Sequence, residues 1–323
     1  MSFETIGSPL LWAGFIVFVL LMLAIDLGVF HKKAHEVSLK EAGTWSAVWV
    51  VLAAVFNVGV YHWFGAQRAL EFTTGYLIEK ALAVDNIFVF VIIFSTFAIP
   101  AIYQHRVLFW GVLGALVMRA GFILAGGAFL QRFHWAIYVF GALLAVTGIK
   151  LLVQRNQELH PERNPLVRWF QRVFPMTPDF HGGKFLVVKN GRRYATGLLL
   201  ALVAVEVTDL IFAVDSIPAI FAVTSDPFIV FTSNIFAILG LRSLYFLLAG
   251  VITKFAYLKV GLSFVLIFVG AKMLLTDLYK VPIVASLGVI AGILALSIIV
   301  SLLKPPITGA PSPSMAEGHP HGP

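Results

Sequence analysis

The sequence predicts an all-α polytopic membrane protein with about nine transmembrane helices. Of its 323 residues, 59% are hydrophobic and 12% are charged, whereas a soluble domain usually carries about 25% charged residues. The apolar residues also form long blocks, most of them close to the roughly 20 residues that cross about 30 Å of hydrocarbon. The approximate limits of these blocks are 9–30, 43–65, 71–97, 106–130, 134–153, 196–221, 227–249, 256–276 and 282–303.

The composition also excludes several classes of function. The chain contains no cysteine, so these residues offer no disulfide framework, thiolate metal site or redox pair. The formal net charge is +7, which in a membrane protein indicates basic loops on one side of the bilayer rather than a nucleic-acid partner. The first apolar block lacks a basic leading region and is longer than the apolar core of a signal peptide, so we expect a transmembrane helix there.

The lysines and arginines predict how the chain is oriented in the membrane. If the 31–42 loop is cytoplasmic, sixteen basic residues fall on the cytoplasmic side and only three, Arg68, Arg132 and Lys280, fall on the other side. Because cytoplasmic loops carry the excess of basic residues, we expect the N-terminus outside and the C-terminus in the cytoplasm. The remaining bases lie within the spans and are Lys80, Arg119, Arg242 and Lys272.

We expect one transmembrane transporter domain over residues 1–304 and a cytoplasmic tail over 305–323. The tail is rich in Pro, Gly and Ser and is predicted to be disordered. The cytoplasmic loop 154–195 contains two predicted elements. One is a short helix at 164–174 that lies on the membrane surface, and the other is a β-hairpin at 184–196 that turns at an Asn-Gly pair.

Two short stretches of the chain are nearly the same, ALAVDNIF and IFAVDSIP. Each places an aspartate, Asp85 or Asp215, inside an apolar run. Each also has a second carboxylate six residues earlier, Glu79 or Asp209. Acids in such apolar segments are functional candidates by default, because a charge at the centre of a bilayer is costly.

The likeness extends to a second pair of stretches, ALVMRAGFIL and ILGLRSLYFL, which align Arg119 with Arg242. Helices 3–5 of the prediction therefore repeat as helices 6–8. The two units are offset by three crossings, an odd number, so they enter the membrane from opposite sides. Secondary transporters with such an inverted-topology repeat bind their substrate near the midplane, between the repeats.

Buried charge is the strongest constraint in the sequence. Each charged residue costs about 2.5–3.5 kcal/mol at the bilayer centre, so the acids and bases of the spans would cost on the order of 30 kcal/mol if isolated. One interpretation is buried salt bridges alone, such as Asp85 with Arg119 and Asp215 with Arg242. The other is a cation site, because the acids outnumber the bases by two and this excess suits a divalent ion, although protonation would also remove it. The acids are Asp26, Glu79, Asp85, Glu206, Asp209 and Asp215.

The ligands that the spans offer are oxygen atoms of carboxylates, amides, hydroxyls and backbone carbonyls. Oxygen sites suit Mg²⁺, Ca²⁺ and Mn²⁺, whereas softer metals recruit imidazole or sulfur. Pro218 is predicted to kink its helix. Either this is an ordinary kink, or the helix is broken there and Asp215 turns toward the site. The candidate metal ligands are Glu79, Asp85, Asn86, Glu206, Asp209, Asp215 and Asn234, with Arg119 and Arg242 as charge-compensating residues.

Four long motifs occur in order along the chain: DLGVFHKKAHEVSLKEA, GYLIEKALAVDNIFVF, QHRVLFWGVLGALVMR and EVTDLIFAVDSIPAIFAVTSDPFIVFTSNIFAILGLRSLYFLL. They resemble the TerC family of bacterial integral membrane proteins, over about residues 10–303. The resemblance implies nine spans in the bacterial cytoplasmic (inner) membrane and metal-ion export, with manganese as the favoured substrate. The acids that match the family's motifs are Glu79, Asp85, Glu206, Asp209 and Asp215.

We therefore expect a manganese exporter driven by proton antiport, with the lipid bilayer, a divalent metal ion and protons as its partners. We expect no enzymatic activity and no bound cofactor. The alternative is a membrane anchor or scaffold for a tellurium- or stress-resistance complex, whose soluble proteins would dock at the 154–195 loop. An intramembrane protease is disfavoured, because the chain contains no Gly-Asp dipeptide and no HExxH sequence.

Overall fold

The computed structural model describes residues 5–30, 37–133, 135–153, 161–177, 180–189, 191–249 and 257–304. Within these ranges the chain is predominantly helical, with a small sheet between α5 and α6. The α-helices are α1 (Pro9–Phe30), α2 (Leu39–Thr96), α3 (Ala101–Arg132), α4 (Ala136–Val153), α5 (Pro165–Val173), α6 (Gly197–Phe221), α7 (Pro227–Leu239), α8 (Leu241–Ala249), α9 (Leu258–Leu274) and α10 (Ile283–Leu303).

The 58-residue helix α2 consists of two arms that reverse direction at Gly65. This glycine has φ 88° and ψ 172°, a conformation that glycine adopts without the steric cost of a Cβ. Asn57 Nδ2 on the first arm donates to Thr73 Oγ1 on the second at 2.8 Å. Residues sixteen apart would be about 24 Å apart in a straight helix, so the arms, α2a (39–64) and α2b (66–96), fold back on each other.

Several helices are long and apolar enough to cross a membrane. By length and composition, the described residues contain four such helices, α3, α4, α6 and α10, or five if the pair α7–α8, bent by 40°, is one span. The helix α10 has only 17% of its most apolar window buried inside the protein, so most of its apolar surface faces outward. The chain is thus an integral membrane protein with several apolar helices.

The core of the bundle is built around α7. All thirteen residues from Pro227 to Leu239 are buried, as expected for a helix that is apolar on every side and packs within protein. The helices α2, α3, α6 and α8 all contact it.

The helix α6 runs through Pro218 as a single helix. Of the two expectations for Pro218, the broken helix is therefore wrong.

Glycines allow α4 and α9 to pack with their backbones close together. A Cβ added at Gly270 would lie 2.6 Å from the carbonyl oxygen of Gly141. A Cβ added at Gly148 would lie 2.8 Å from the carbonyl oxygen of Ser263. Because the later residue of α4 meets the earlier residue of α9, the helices are antiparallel. Small residues at such crossings are a common means of helix association in membranes.

The 154–195 loop contains the short helix and the hairpin that the sequence predicts. The helix is α5, and the hairpin pairs β2 (Leu186–Lys189) with β3 (Arg192–Thr196) in antiparallel register. A third strand, β1 (Met176–Thr177), pairs with β3 in parallel, so the all-α prediction is corrected by a three-stranded sheet. The first turn residue, Asn190, and the tail over 305–323 lie outside the described residues.

The substitution Gly270→Ala tests the α4–α9 contact. We expect it to destabilise the folded protein by about 1–3 kcal/mol, because the added methyl group overpacks two backbones that lie in direct contact. The measurement is the midpoint of thermal unfolding of the detergent-purified protein. The control is Gly292→Ala on α10, where an added Cβ meets nothing within 4 Å. Equal midpoints for Gly270→Ala and the wild-type protein would contradict the close contact.

Candidate functional site

A buried arginine is at the centre of the polar interior. Arg119, on α3, has an exposed fraction of only 1%. Its Nη2 donates to Asp209 Oδ1 at 2.8 Å and its Nε donates to Asp209 Oδ2 at 3.2 Å, so this contact is bidentate. Its Nη1 forms an ion pair with Glu79 Oε1. The arginine thus links the equivalent acids of the two similar motifs, Glu79 on α2b and Asp209 on α6.

Two neutral side chains complete this arrangement. Arg119 Nη1 also donates to Ser216 Oγ at 3.3 Å and to Asn234 Oδ1 at 3.4 Å. The amide nitrogen of Asn234 in turn donates to Glu79 Oε2 at 3.0 Å. We call these five residues, Glu79, Arg119, Asp209, Ser216 and Asn234, the Arg119 cluster. Each is at most 2% exposed, and the cluster carries a formal charge of −1.

The packing of α2b, α6 and α7 brings these side chains together. A Cβ at Gly75 would lie 3.1 Å from Ile220 Cγ2 on α6 and 2.8 Å from Ser233 Oγ on α7. A glycine at this position therefore allows both helices to approach α2b one turn before Glu79. Ser233 precedes Asn234, so the same approach carries the Asn234 amide into contact with Glu79.

The second acids of the two motifs lie outside the cluster. The Asp215 carboxylate accepts a hydrogen bond from Thr147 Oγ1 on α4 at 3.2 Å. Asp85 is partly buried on α2b, on the same helix face as Ile78 and Leu82, which belong to a buried cluster that includes residues of α9. Residues six apart on a helix are rotated by about 240° from each other. Asp85 and Asp215 are therefore directed away from the Arg119 cluster and toward the α4–α9 pair.

The salt bridges considered from the sequence are not the ones that form. Arg119 pairs with Glu79 and Asp209 instead of Asp85. Arg242, at the start of α8, does not reach the Asp215 carboxylate. It is 6% exposed and lines a small pocket with Trp45, Trp49, His105 and Ser243 among its other walls.

Two further candidate ligands place buried oxygen atoms near the cluster's helices. Glu206 lies on α6, one turn before Asp209, and its carboxylate packs against α3 where a Cβ at Gly114 would overlap it. Its Oε2 is buried and has no hydrogen-bond partner within the described ranges. The same holds for Oδ1 of Asn86, whose side chain is 1% exposed.

The seven predicted ligands are thus only partly assembled. The structure brings together Glu79, Asp209 and Asn234, whereas Asp85, Asn86, Glu206 and Asp215 lie outside the cluster. Among the residues that the structure describes, no three His, Asp or Glu side chains lie close enough together to hold a metal ion. The side chain of Asp26 lies outside the described set. What the cluster can do chemically is hold one cationic group among carboxylate, hydroxyl and amide oxygens.

A second buried polar network was not predicted from the sequence. Thr224 Oγ1 donates to Glu71 Oε2 at 2.6 Å, and Arg68 Nη1 pairs with the same oxygen at 2.8 Å. Asp226 caps the start of α7 by accepting from the Phe228 nitrogen at 2.9 Å. The sequence feature that could have indicated part of this network is the Asp-Pro pair at 226–227, because an aspartate followed by proline is typical of a helix start.

The same network fastens the N-terminal segment to the bundle. Asp226 accepts hydrogen bonds from Thr5 Oγ1 at 2.8 Å and from the Ile6 nitrogen at 2.9 Å. Its second oxygen lies 4.0 Å from Arg68 Nη1. The network of Thr5, Arg68, Glu71, Thr224 and Asp226 therefore closes the end of the bundle where α6 joins α7.

These observations define a polytopic membrane protein whose two similar motifs each contribute a carboxylate to a buried arginine. Residues 64–306 match the family model described as "Integral membrane protein TerC family". The chain belongs to this family, and the resemblance predicted from its motifs is confirmed.

Named relatives cover nearly the whole chain. The chain is 61% identical to "Uncharacterized membrane protein STKORF319" of Myxococcus xanthus over 303 residues, which are 94% of this chain and 95% of the relative. It is 51% identical to "Putative membrane-bound redox modulator Alx" of Escherichia coli (strain K12) over 308 residues, 92% of this chain and 96% of the relative. No solved structure matches the chain.

The substitution Thr224→Val tests the Glu71–Asp226 network. It keeps the shape of the side chain but removes the hydroxyl donor, so the buried Glu71 carboxylate loses a hydrogen bond. We expect a loss of about 1–3 kcal/mol in the free energy of unfolding, measured by thermal unfolding in detergent. The control is Thr44→Val, at an exposed position on α2a, which should unfold close to the wild-type temperature. If both variants unfold at that temperature, the network does not hold the bundle end together.

Proposed function

We propose that this protein exports divalent manganese from the bacterial cytoplasm in exchange for protons, and that the Arg119 cluster is the central part of the ion path. The observation that carries this proposal is the meeting of two equivalent carboxylates, Glu79 and Asp209, around one cationic group in the protein interior. Ionisable residues in such positions mark ion pathways in membrane proteins. Glu79 and Asp209 come from the two similar motifs, and a site between two repeats requires a residue from each repeat.

The pattern of helix contacts supports the inverted repeat of 71–153 and 196–276. The arm α2b contacts α7 through Glu79 and Asn234 and α8 through the rings of Phe94 and Tyr245. In the same bundle α3 packs on α6, and α4 packs on α9. In the repeat, α2b corresponds to α6, α3 corresponds to the pair α7–α8, and α4 corresponds to α9. If each helix is replaced by its counterpart, the same pairs of neighbouring helices result. Such an exchange is what a pseudo-two-fold axis between the units would produce.

The helices also support a chain with nine passes. Among the described helices, α2a and α2b count separately, α7 and α8 count as one bent pass, and the surface helix α5 is left out. The remaining passes are α1, α3, α4, α6, α9 and α10. With the basic loops inside, we propose that the N-terminus is outside and the C-terminus cytoplasmic, in the inner membrane.

The chemistry of the cluster favours a hard divalent cation. Carboxylate, hydroxyl and amide oxygens suit Mn²⁺, Mg²⁺ and Ca²⁺ alike, so the ligands alone do not choose among them. The family resemblance favours manganese. Because the ion leaves against the membrane potential, export of a divalent ion costs about 4.6 kcal/mol per 100 mV. The sequence has no GxxxxGK[ST] nucleotide loop, and carboxylates can exchange a metal ion for protons.

Manganese flux in proteoliposomes that contain only this protein tests the proposal. We expect the wild-type protein to move Mn²⁺ and to move protons in the opposite direction. Asp209→Asn retains the shape but removes one charge from the cluster, and it should reduce flux at least tenfold while the protein remains in the membrane. Asp215→Asn should abolish flux, because we propose that the second acids carry the ion or protons.

The control for both variants is Asp277→Asn, an exposed acid beyond the end of α9, which should transport at the normal rate. Absence of Mn²⁺ flux through the wild-type protein would refute the export proposal. Normal flux through Asp209→Asn would instead remove the Arg119 cluster from the ion path.

The second candidate function is a membrane anchor for soluble stress-resistance proteins. It is favoured by α5, where Leu166, Trp169 and Val173 are 51%, 60% and 53% exposed. The Escherichia coli relative is named "Putative membrane-bound redox modulator Alx". Because this chain has no cysteine, its residues offer no thiol pair for such a role. The double variant Leu166→Ser, Trp169→Ser tests this role: loss of stress resistance with normal Mn²⁺ flux would favour the anchor.

A further inference from the structure

The guanidinium of Arg119 occupies the position that a bound cation would need. Five oxygen atoms are directed at it: Glu79 Oε1, Asp209 Oδ1 and Oδ2, Ser216 Oγ and Asn234 Oδ1. They come from three helices, α2b, α6 and α7, and the arginine reaches them from a fourth, α3. A hard divalent cation such as Mn²⁺ is bound by about six oxygen atoms of these chemical types.

A metal ion and this guanidinium cannot use the same oxygens together. Both oxygens of Asp209 and one oxygen of Glu79 are engaged by Arg119. An ion placed among them would also lie within a few ångströms of a fixed positive charge, in a region where charges are weakly screened. Binding of a cation to Glu79 and Asp209 therefore requires that the arginine leave.

Glu206 is the candidate receiving group for a displaced guanidinium. It lies one turn before Asp209 on α6 and packs against Gly114, five residues before Arg119 on α3. Long side chains on a helix point toward its N-terminus, which is the direction from Arg119 to Gly114. The buried Oε2 of Glu206 has no hydrogen-bond partner among the described residues, so it can accept a new one.

We propose that Arg119 is a tethered, displaceable counter-cation. It neutralises Glu79 and Asp209 when no ion is bound, and it moves to Glu206 when the ion enters. This inference rests on the proposed ion-export function and adds the step that links ion binding to a movement of the protein. In the ion-bound state the ion neutralises Glu79 and Asp209 while Arg119 neutralises Glu206, so the movement also pairs the carboxylate that has no partner in the ion-free state.

The first test is thermal unfolding of the purified protein with chelator and with added Mn²⁺. In Arg119→Gln the two acids have no cation unless Mn²⁺ takes the position. We expect this variant to be less stable than wild type in chelator and to gain more stability from Mn²⁺ than wild type does, because a ligand stabilises the state that it binds. Arg132→Gln, an exposed substitution at the end of α3, should behave as wild type.

The second test is Mn²⁺ affinity by calorimetry in Glu206→Gln, which does not depend on the stability of an arginine variant. Loss of the receiving charge should weaken Mn²⁺ binding on the order of tenfold, since the coupling between two such events is typically 5–150-fold. Glu162→Gln, at a side chain that is 41% exposed, is the control and should bind as wild type.

The outcomes separate this inference from the proposed function. If wild type binds and transports Mn²⁺, but Arg119→Gln gains no more stability from the ion than wild type, displacement of the arginine is refuted. If Glu206→Gln binds Mn²⁺ with wild-type affinity, Glu206 is not the receiving group. If wild type neither binds nor moves Mn²⁺, the export proposal itself fails and this inference fails with it.

Discussion

The pairing of Arg119 with Glu79 and Asp209 is the interaction on which the rest of the interior depends. All three side chains are at most 2% exposed, so each charge would be strongly destabilising if its partner were absent. The pairs fix the relative positions of α2b, α3 and α6. The fully buried α7 adds Asn234, which holds the remaining oxygen of Glu79. A single guanidinium thus sets the relative register of four helices.

Close helix approach is the second requirement, and glycines meet it at separate places. The absence of a side chain at Gly75 allows α7 to pack closely against α2b, and at Gly114 it leaves space for the Glu206 carboxylate. At Gly270 it allows the backbones of α4 and α9 to lie in direct contact. In a membrane the lipid is as apolar as the side chains, so helix association relies on packing and on polar contacts rather than on the hydrophobic effect. The polar clusters and the glycine contacts therefore act together in this bundle.

The two similar motifs do not have the same surroundings. One arginine, Arg119, pairs with both equivalent acids, while Arg242 lines a pocket together with two tryptophans and a histidine. The physical reason is the capacity of a guanidinium, which has five N–H donors in a planar fork and can serve two carboxylates. A second guanidinium at the same place would give the cluster a like-charge contact. Sequence equivalence therefore does not imply equivalent roles.

The sequence by itself determined the membrane class, the TerC family, the hairpin at 184–196 and most members of the Arg119 cluster. It did so because apolar block length, turn residues and charges in apolar segments are local properties. It also separated the helices on either side of Gly65, although the direct reversal at a single glycine was visible only in the fold.

Only the tertiary structure decided which charges meet. A helix fixes the face of Glu79 and Asp85, but not which neighbouring helix lies against that face, so the partners of Arg119 were not predictable from spacing. The Glu71–Asp226 network joins residues more than 150 positions apart, and no periodic pattern reports such a contact. The packing of neighbouring helices decided these partners, because a buried charged side chain pairs with the polar groups of the helices that lie within hydrogen-bond distance of it.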